Sequence, residues 1–128
     1  MPHVLIVDDE PEILEIIEDA LRERGLNVKA AASDRDAMAL LEREAQEISL
    51  LVTDVNLGQG VTGFDIARKA RALNPALTVV YITGNPEHLE RFGVDGALMI
   101  EKPFPPEEFA DQVVKLVEPQ ASTKRPTS

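Results

Sequence analysis

The stretch ISLLVT at residues 48–53, followed at once by Asp54, decides how this chain reads. It is apolar nearly throughout and short. That is the pattern of a strand in a parallel sheet covered on both faces. LTVVYI at 77–82 and HVLIV at 3–7 have the same character. Two weaker strands fit at 27–32 and 97–100. The segments between them repeat apolar residues at helical spacing. Residues 11–24 carry Ile13, Ile17, Ala20 and Leu21 on one face, and Gly25 follows where a helix C-terminus favours glycine. Ser33 or Asp34 can cap a second helix running to about residue 46, with Met38, Leu41 and Ala45 inward. A third helix spans 63–73 and stops at Asn74-Pro75. Residues 86–92 allow a short fourth. A fifth covers 105–117, with proline in its first turn and Phe109, Val113 and Leu116 inward. Residues 54–62 read as a loop with glycines at 58 and 60. Five βα units in this order predict an α/β domain: a doubly wound five-stranded parallel sheet with helices on both faces. Such folds bind ligands at the carboxyl ends of their strands, near a switch in strand order.

At 128 residues the chain is one domain with room for a real core. From Glu118 the apolar pattern stops, so the reading is a folded domain over 1–118 and a disordered tail over 119–128. No apolar run approaches the roughly 20 residues of a membrane span. The first ten residues, MPHVLIVDDE, lack the basic start of a signal peptide. A cytoplasmic location is expected. There is no cysteine, which excludes a disulfide scaffold, a cysteine nucleophile and thiolate metal sites. The net charge is −10 and the basic residues do not cluster, so direct nucleic-acid binding is not expected, nor is membrane binding.

The polar residues at the strand ends carry the chemistry. The first strand runs into Asp8, Asp9 and Glu10, the third into Asp54, the fourth into Thr83-Gly84, and the fifth into Glu101-Lys102-Pro103. Carboxylates gathered in one cleft repel one another and call for a cation, and an all-oxygen set favours Mg²⁺ or Ca²⁺ over zinc. A lysine and a hydroxyl beside that cation suit a phosphoryl group. Each residue also has a plainer reading. Asp9 can cap the first helix with Glu12 as its box partner. Asp54 can be a turn residue, Thr83-Gly84 a loop start, and Lys102 a solvated charge. What favours the functional reading is that four of five strands deliver suitable groups to one edge.

In these motifs the sequence resembles the receiver domain of two-component response regulators, over about residues 3–117. The carriers are VLIVDDE at 4–10, LLVTDVNLG at 50–58, GFDIARKAR at 63–71, VVYITG at 79–84 and EKPF at 101–104. The resemblance implies that Asp54 accepts a phosphoryl group from a phosphohistidine of a sensor histidine kinase or a histidine phosphotransfer protein. It implies that Asp8, Asp9, Asp54 and the backbone carbonyl of Asn56 hold Mg²⁺. Lys102 would pair with the phosphoryl group and Thr83 would be the switch hydroxyl. Pro103 matches a proline preceded by a cis peptide bond, and Asn56 and Asn85 match positions that tune hydrolysis of the acyl phosphate. Such a domain signals by protein contact. It is not an enzyme in the ordinary sense, since it catalyses only its own phosphorylation and dephosphorylation.

The sequence departs from the family pattern in four places. Met99 stands where an aromatic switch residue is usual, with Tyr81 on the fourth strand instead. Gly58 replaces a proline, the loop before Gly63 is one residue longer, and the segment 84–96 is short. His88, in that segment, reads as a surface residue. Three other functions remain open at this stage. A Mg²⁺-dependent phosphatase with an aspartyl nucleophile uses similar parts, but Asn56 stands where a general acid is expected. A flavodoxin-like binding module fits the layout, yet the loop after the first strand offers no glycine or hydroxyl to cradle a phosphate. A binding-only pseudo-receiver would not need its motif residues intact.

Overall fold

The computed structural model describes residues 3–55, 62–83, 97–101 and 104–117. Its strands are β1 (His3–Val7), β2 (Asn27–Ala31), β3 (Ile48–Asp54), β4 (Thr78–Thr83) and β5 (Leu98–Glu101). All pair in parallel, in the order β2-β1-β3-β4-β5. The described helices are α1 (Pro11–Glu23), α2 (Asp34–Glu44), α3 (Gly63–Leu73) and α4 (Pro106–Val117), with a 3₁₀ turn at Ala45–Glu47. The order reverses between β1 and β3, and the crevice at their carboxyl ends is the switch point.

Strand alternation splits the core into two layers. Val4, Ile6, Leu50, Val52, Val80, Ile82 and Ile100 face α1 and α4, where Leu14, Ile17, Leu21, Phe109 and Val113 meet them. Leu5, Val7, Leu51, Val79 and Tyr81 face α2 and α3, against Ala37, Leu41, Phe64, Ile66 and Ala70. Both faces of the central strands are thus covered, which is why they carry so few polar residues. Each fully buried leucine or isoleucine contributes roughly 1.5–3 kcal/mol of transfer free energy.

Helix ends follow local chemistry. Beyond α1, Gly25 adopts φ +84°, its N–H bonds to Arg22 O, and Leu26 N–H reaches back to Leu21 O. This closing turn needs the left-handed backbone that glycine allows. Ser33 caps α2 by accepting from Asp36 N–H at 3.1 Å. Thr62 caps α3 in a reciprocal box with Asp65.

Several expected bounds shift. Asp54 is the last residue of β3 rather than the first of a loop. Leu77 precedes β4 because its N–H turns back to Asn74 O at 3.0 Å. The second helix yields to the 3₁₀ turn after Glu44, and β2 ends at Ala31. Asp9 does not cap α1. The cap position is Glu10, without a side-chain cap bond, and Pro11 opens the helix. The expected short helix at 86–92 and the expected tail at 119–128 lie outside the described residues. Among the described residues, no helix is long and apolar enough to cross a membrane.

Candidate functional site

Strand register builds the site. Val7 of β1 pairs with Thr53 of β3, so the next residues, Asp8 and Asp54, stand side by side at the switch point. Asp54 in turn pairs with Ile82, which sets Thr83 one step further along β4. Asp8 is fully buried, and Asp54 and Thr83 are each only 5% exposed. Asp8 N–H donates to Ala31 O at 3.2 Å, and Asp8 Oδ1 accepts from Glu10 N–H at 2.9 Å. These bonds fix the chain as it leaves β1.

Carboxylate oxygens of Asp8, Glu10 and Asp54 lie within 4.8 Å of one another. Two ionised carboxylates at that separation repel by roughly 3 kcal/mol at an effective dielectric near 20. A hard divalent cation reverses the sign, and oxygen donors alone suit Mg²⁺ or Ca²⁺. Glu10 belongs to this group, and the sequence reading did not assign it a ligand role. The available signal was its place in the run Asp8-Asp9-Glu10 ahead of a proline-opened helix. Asp9, an expected ligand, is exposed at the bend and is not one of the three.

The backbone of Asp54 is held from two sides. Thr53 Oγ1 donates to Asp54 O at 3.0 Å in a buried bond. The first residue of α3, Gly63, presses on the same carbonyl, and an added Cβ there would lie 2.2 Å from Asp54 O. Gly63 N–H also bonds to Val55 O at 2.9 Å, and Val55 N–H to Ile82 O at 3.2 Å. The seat of Asp54 therefore depends on a glycine eight residues downstream of Val55. Behind Gly63, the Asp65 carboxylate accepts from Thr62 N–H at 3.1 Å and pairs with Arg68. The Thr62 bond, aided by Arg68, holds its carboxyl below the ordinary range.

Tyr81 is fully buried and meets Phe64 edge-on, with ring centroids 5.0 Å apart. It is a packed strand aromatic, as its position suggested. Met99, its register partner on β5, is 36% exposed. Asn56, Asn85, His88, Lys102, Pro103 and the glycines at 58 and 60 lie outside the described residues.

The model of the response regulator receiver domain family matches residues 4–114. The chain belongs to that family. Curated relatives of this receiver include TcrX of Mycobacterium tuberculosis, a probable transcriptional regulatory protein. It is 34% identical over 108 residues, covering 82% of this chain and 45% of that protein. The chain spans about half the length of the curated relatives it matches. Among solved structures, a response regulator receiver protein from Sinorhizobium medicae matches with a TM-score of 0.82 at 29% identity, covering 97% of both chains. The receiver domain of the hybrid histidine kinase CckA matches with a TM-score of 0.75 at 29% identity, over 88% of this chain and 96% of that one. The five-stranded parallel order is that of these receivers. Receiver domains hold Mg²⁺ in an acidic pocket, and the Asp8, Glu10 and Asp54 group fits one.

Proposed function

We propose that this receiver domain accepts a phosphoryl group on Asp54 from a phosphohistidine of a sensor histidine kinase or a histidine phosphotransfer protein. The observation that carries the reading is the convergence of Asp8, Glu10 and Asp54 at the switch point of the sheet. In this reading Mg²⁺ is held by Asp8, Asp9, Asp54 and the backbone carbonyl of Asn56, with Glu10 as a further carboxylate in reach. When bound, the ion supplies charge neutralisation for in-line transfer of the phosphoryl group. Asp54 contributes the attacking oxygen. Asp8 keeps the site anionic and so selects for a divalent ion. Lys102 and Thr83 cover the charge on the transferred group. The domain passes its state on by protein contact, in the cytoplasm, and no direct nucleic-acid contact is part of the proposal. Its catalysis is limited to its own phosphorylation and hydrolysis.

The test is intact mass spectrometry after incubation with acetyl phosphate, with and without Mg²⁺, on wild type and Asp54→Asn. A single phosphoryl adduct requiring both Mg²⁺ and Asp54 is expected. An adduct that survives Asp54→Asn overturns the assignment of the acceptor. Sustained turnover of a phosphomonoester would instead favour the phosphatase reading. No adduct, together with no retention of beryllofluoride, would favour a binding-only domain.

A further inference from the structure

A second group of metal-ligating side chains lies at the other end of the sheet. His3 opens β1, Glu44 ends α2 and Glu47 closes the 3₁₀ turn. One donor atom from each lies within 4.8 Å of the others. The pairing of β1 with β3 makes this possible. His3 pairs with Ile48 but Val4 pairs with Leu50, so the register slips by one residue at the very start of the strand. Such irregularities re-aim side chains. Here the slip sets His3 against Ile48, next in the chain to Glu47. His3 Nδ1 is closed off from solvent and makes no hydrogen bond among the described residues. Its nearest ion-pair atom, Glu47 Oε1, stands 4.0 Å away.

We propose that His3, Glu44 and Glu47 bind a late first-row divalent cation, zinc being the fitting ion. One imidazole nitrogen and two carboxylate oxygens suit zinc, whereas Mg²⁺ demands an octahedral oxygen set. Donors at about 2.0 Å in a tetrahedral shell stand roughly 3.3 Å apart, so the trio must close from its present spread. Glu47 is free to do so, with two-thirds of its side chain exposed. Glu44 is held in place by Lys29, whose Nζ sits 2.9 Å from its Oε1. Water completes the shell. The ion clips the amino end of β1 to the end of α2, roughly 16 Å along the strand from Asp8. It is therefore separate from the phosphoryl site and does not depend on the function proposed there.

The test is Zn²⁺ titration of the full chain against a fluorescent chelator, with Mg²⁺ in excess to occupy the acidic pocket. Wild type is compared with His3→Gln, Glu47→Gln, His88→Gln and Asp54→Asn. One zinc per chain is expected, with affinity at least about tenfold weaker in His3→Gln and in Glu47→Gln. His88→Gln and Asp54→Asn should bind as wild type does. The absence of stoichiometric zinc, wild-type affinity in His3→Gln, or loss of binding in His88→Gln or Asp54→Asn overturns the proposal. In the unaltered chain, Zn²⁺ should shift the His3 imidazole resonances. Their failure to move overturns it without relying on any variant's fold.

Discussion

The two ends of the sheet solve opposite problems. At the amino end, charges alternate and loose carbonyls are stitched down. Lys29 pairs with Glu44 and Arg22 with Glu18. Asn74 Nδ2 donates to Ala45 O and Ile48 O, Arg71 Nε to Leu77 O, and Gln46 to Leu73 O. At the carboxyl end the fold gathers like charge instead, with Asp8 and Asp54 buried next to each other and Glu10 in reach. Apart from the His3, Glu44 and Glu47 group, the amino end accumulates opposite signs and paired amides. Crowded carboxylates at the switch point indicate selection for a ligand that bears the missing positive charge.

The largest effect should come from neutralising the crowded end. Asp54→Asn is expected to abolish the Mg²⁺-dependent adduct while raising stability in Mg²⁺-free buffer by roughly 1–2 kcal/mol. Parallel mass spectrometry and urea unfolding check both halves. A loss of stability would mean that the carboxyl end is not strained by like charge. Next, Gly63→Ala should cost about 1–3 kcal/mol, because the new methyl meets the Asp54 carbonyl rather than a flexible side chain. Labelling should fall with it, measured as adduct formed per minute. A fully active Gly63→Ala chain would show that the seat of Asp54 does not depend on the start of α3.

Asn74→Ala tests the stitched end. It frees two carbonyls at once and should cost roughly 1–3 kcal/mol in urea unfolding. The labelling rate should stay at the wild-type value, since the change is at the far end of the sheet. The smallest effect concerns pH. The Asp65 carboxyl titrates below its ordinary 3.8 in the folded chain, so folding favours its ionised form. That contribution is complete above the unfolded value and disappears as pH falls through the lower folded one. Because the group is partly exposed, the effect is small. Thermal unfolding of Asp65→Asn should accordingly show a shallower acid limb below pH 4 than wild type, with a loss of about 1 kcal/mol at neutral pH from the weakened cap.

The sequence made the carboxyl end far more legible than the amino end. The end of the helix at Gly63–Leu73 could be placed to the residue because Asn74-Pro75 stops it, whereas its start is set by the Thr62–Asp65 box. Asp8 and Asp54 were legible because each directly follows an apolar run. Glu10 was harder, since its approach to Asp54 depends on the extended backbone at the cap position of α1. Thr53 and Gly63 as supports of the Asp54 carbonyl were not visible, because a hydroxyl bond to a backbone oxygen and the close approach of a glycine both depend on where the main chain runs. The grouping of His3 with Glu44 and Glu47 was hidden for a related reason. The residues are some forty positions apart, and a one-residue slip in the β1–β3 ladder brings them together. Spacing reveals partners on one element, whereas register decides partners on two.

The buried contact between Tyr81 and Phe64 gives the protein an optical label of its own. The chain has one tyrosine and no tryptophan, so emission excited beyond the phenylalanine band comes from a single ring at a known place. That ring lies two residues before Thr83, beside the helix that starts against Asp54, and in register with Met99. Rearrangement of β4 or α3 on loading the acidic site would alter the quenching of that one fluorophore. Events at the site can therefore be timed by stopped-flow on the unmodified chain, without an attached dye.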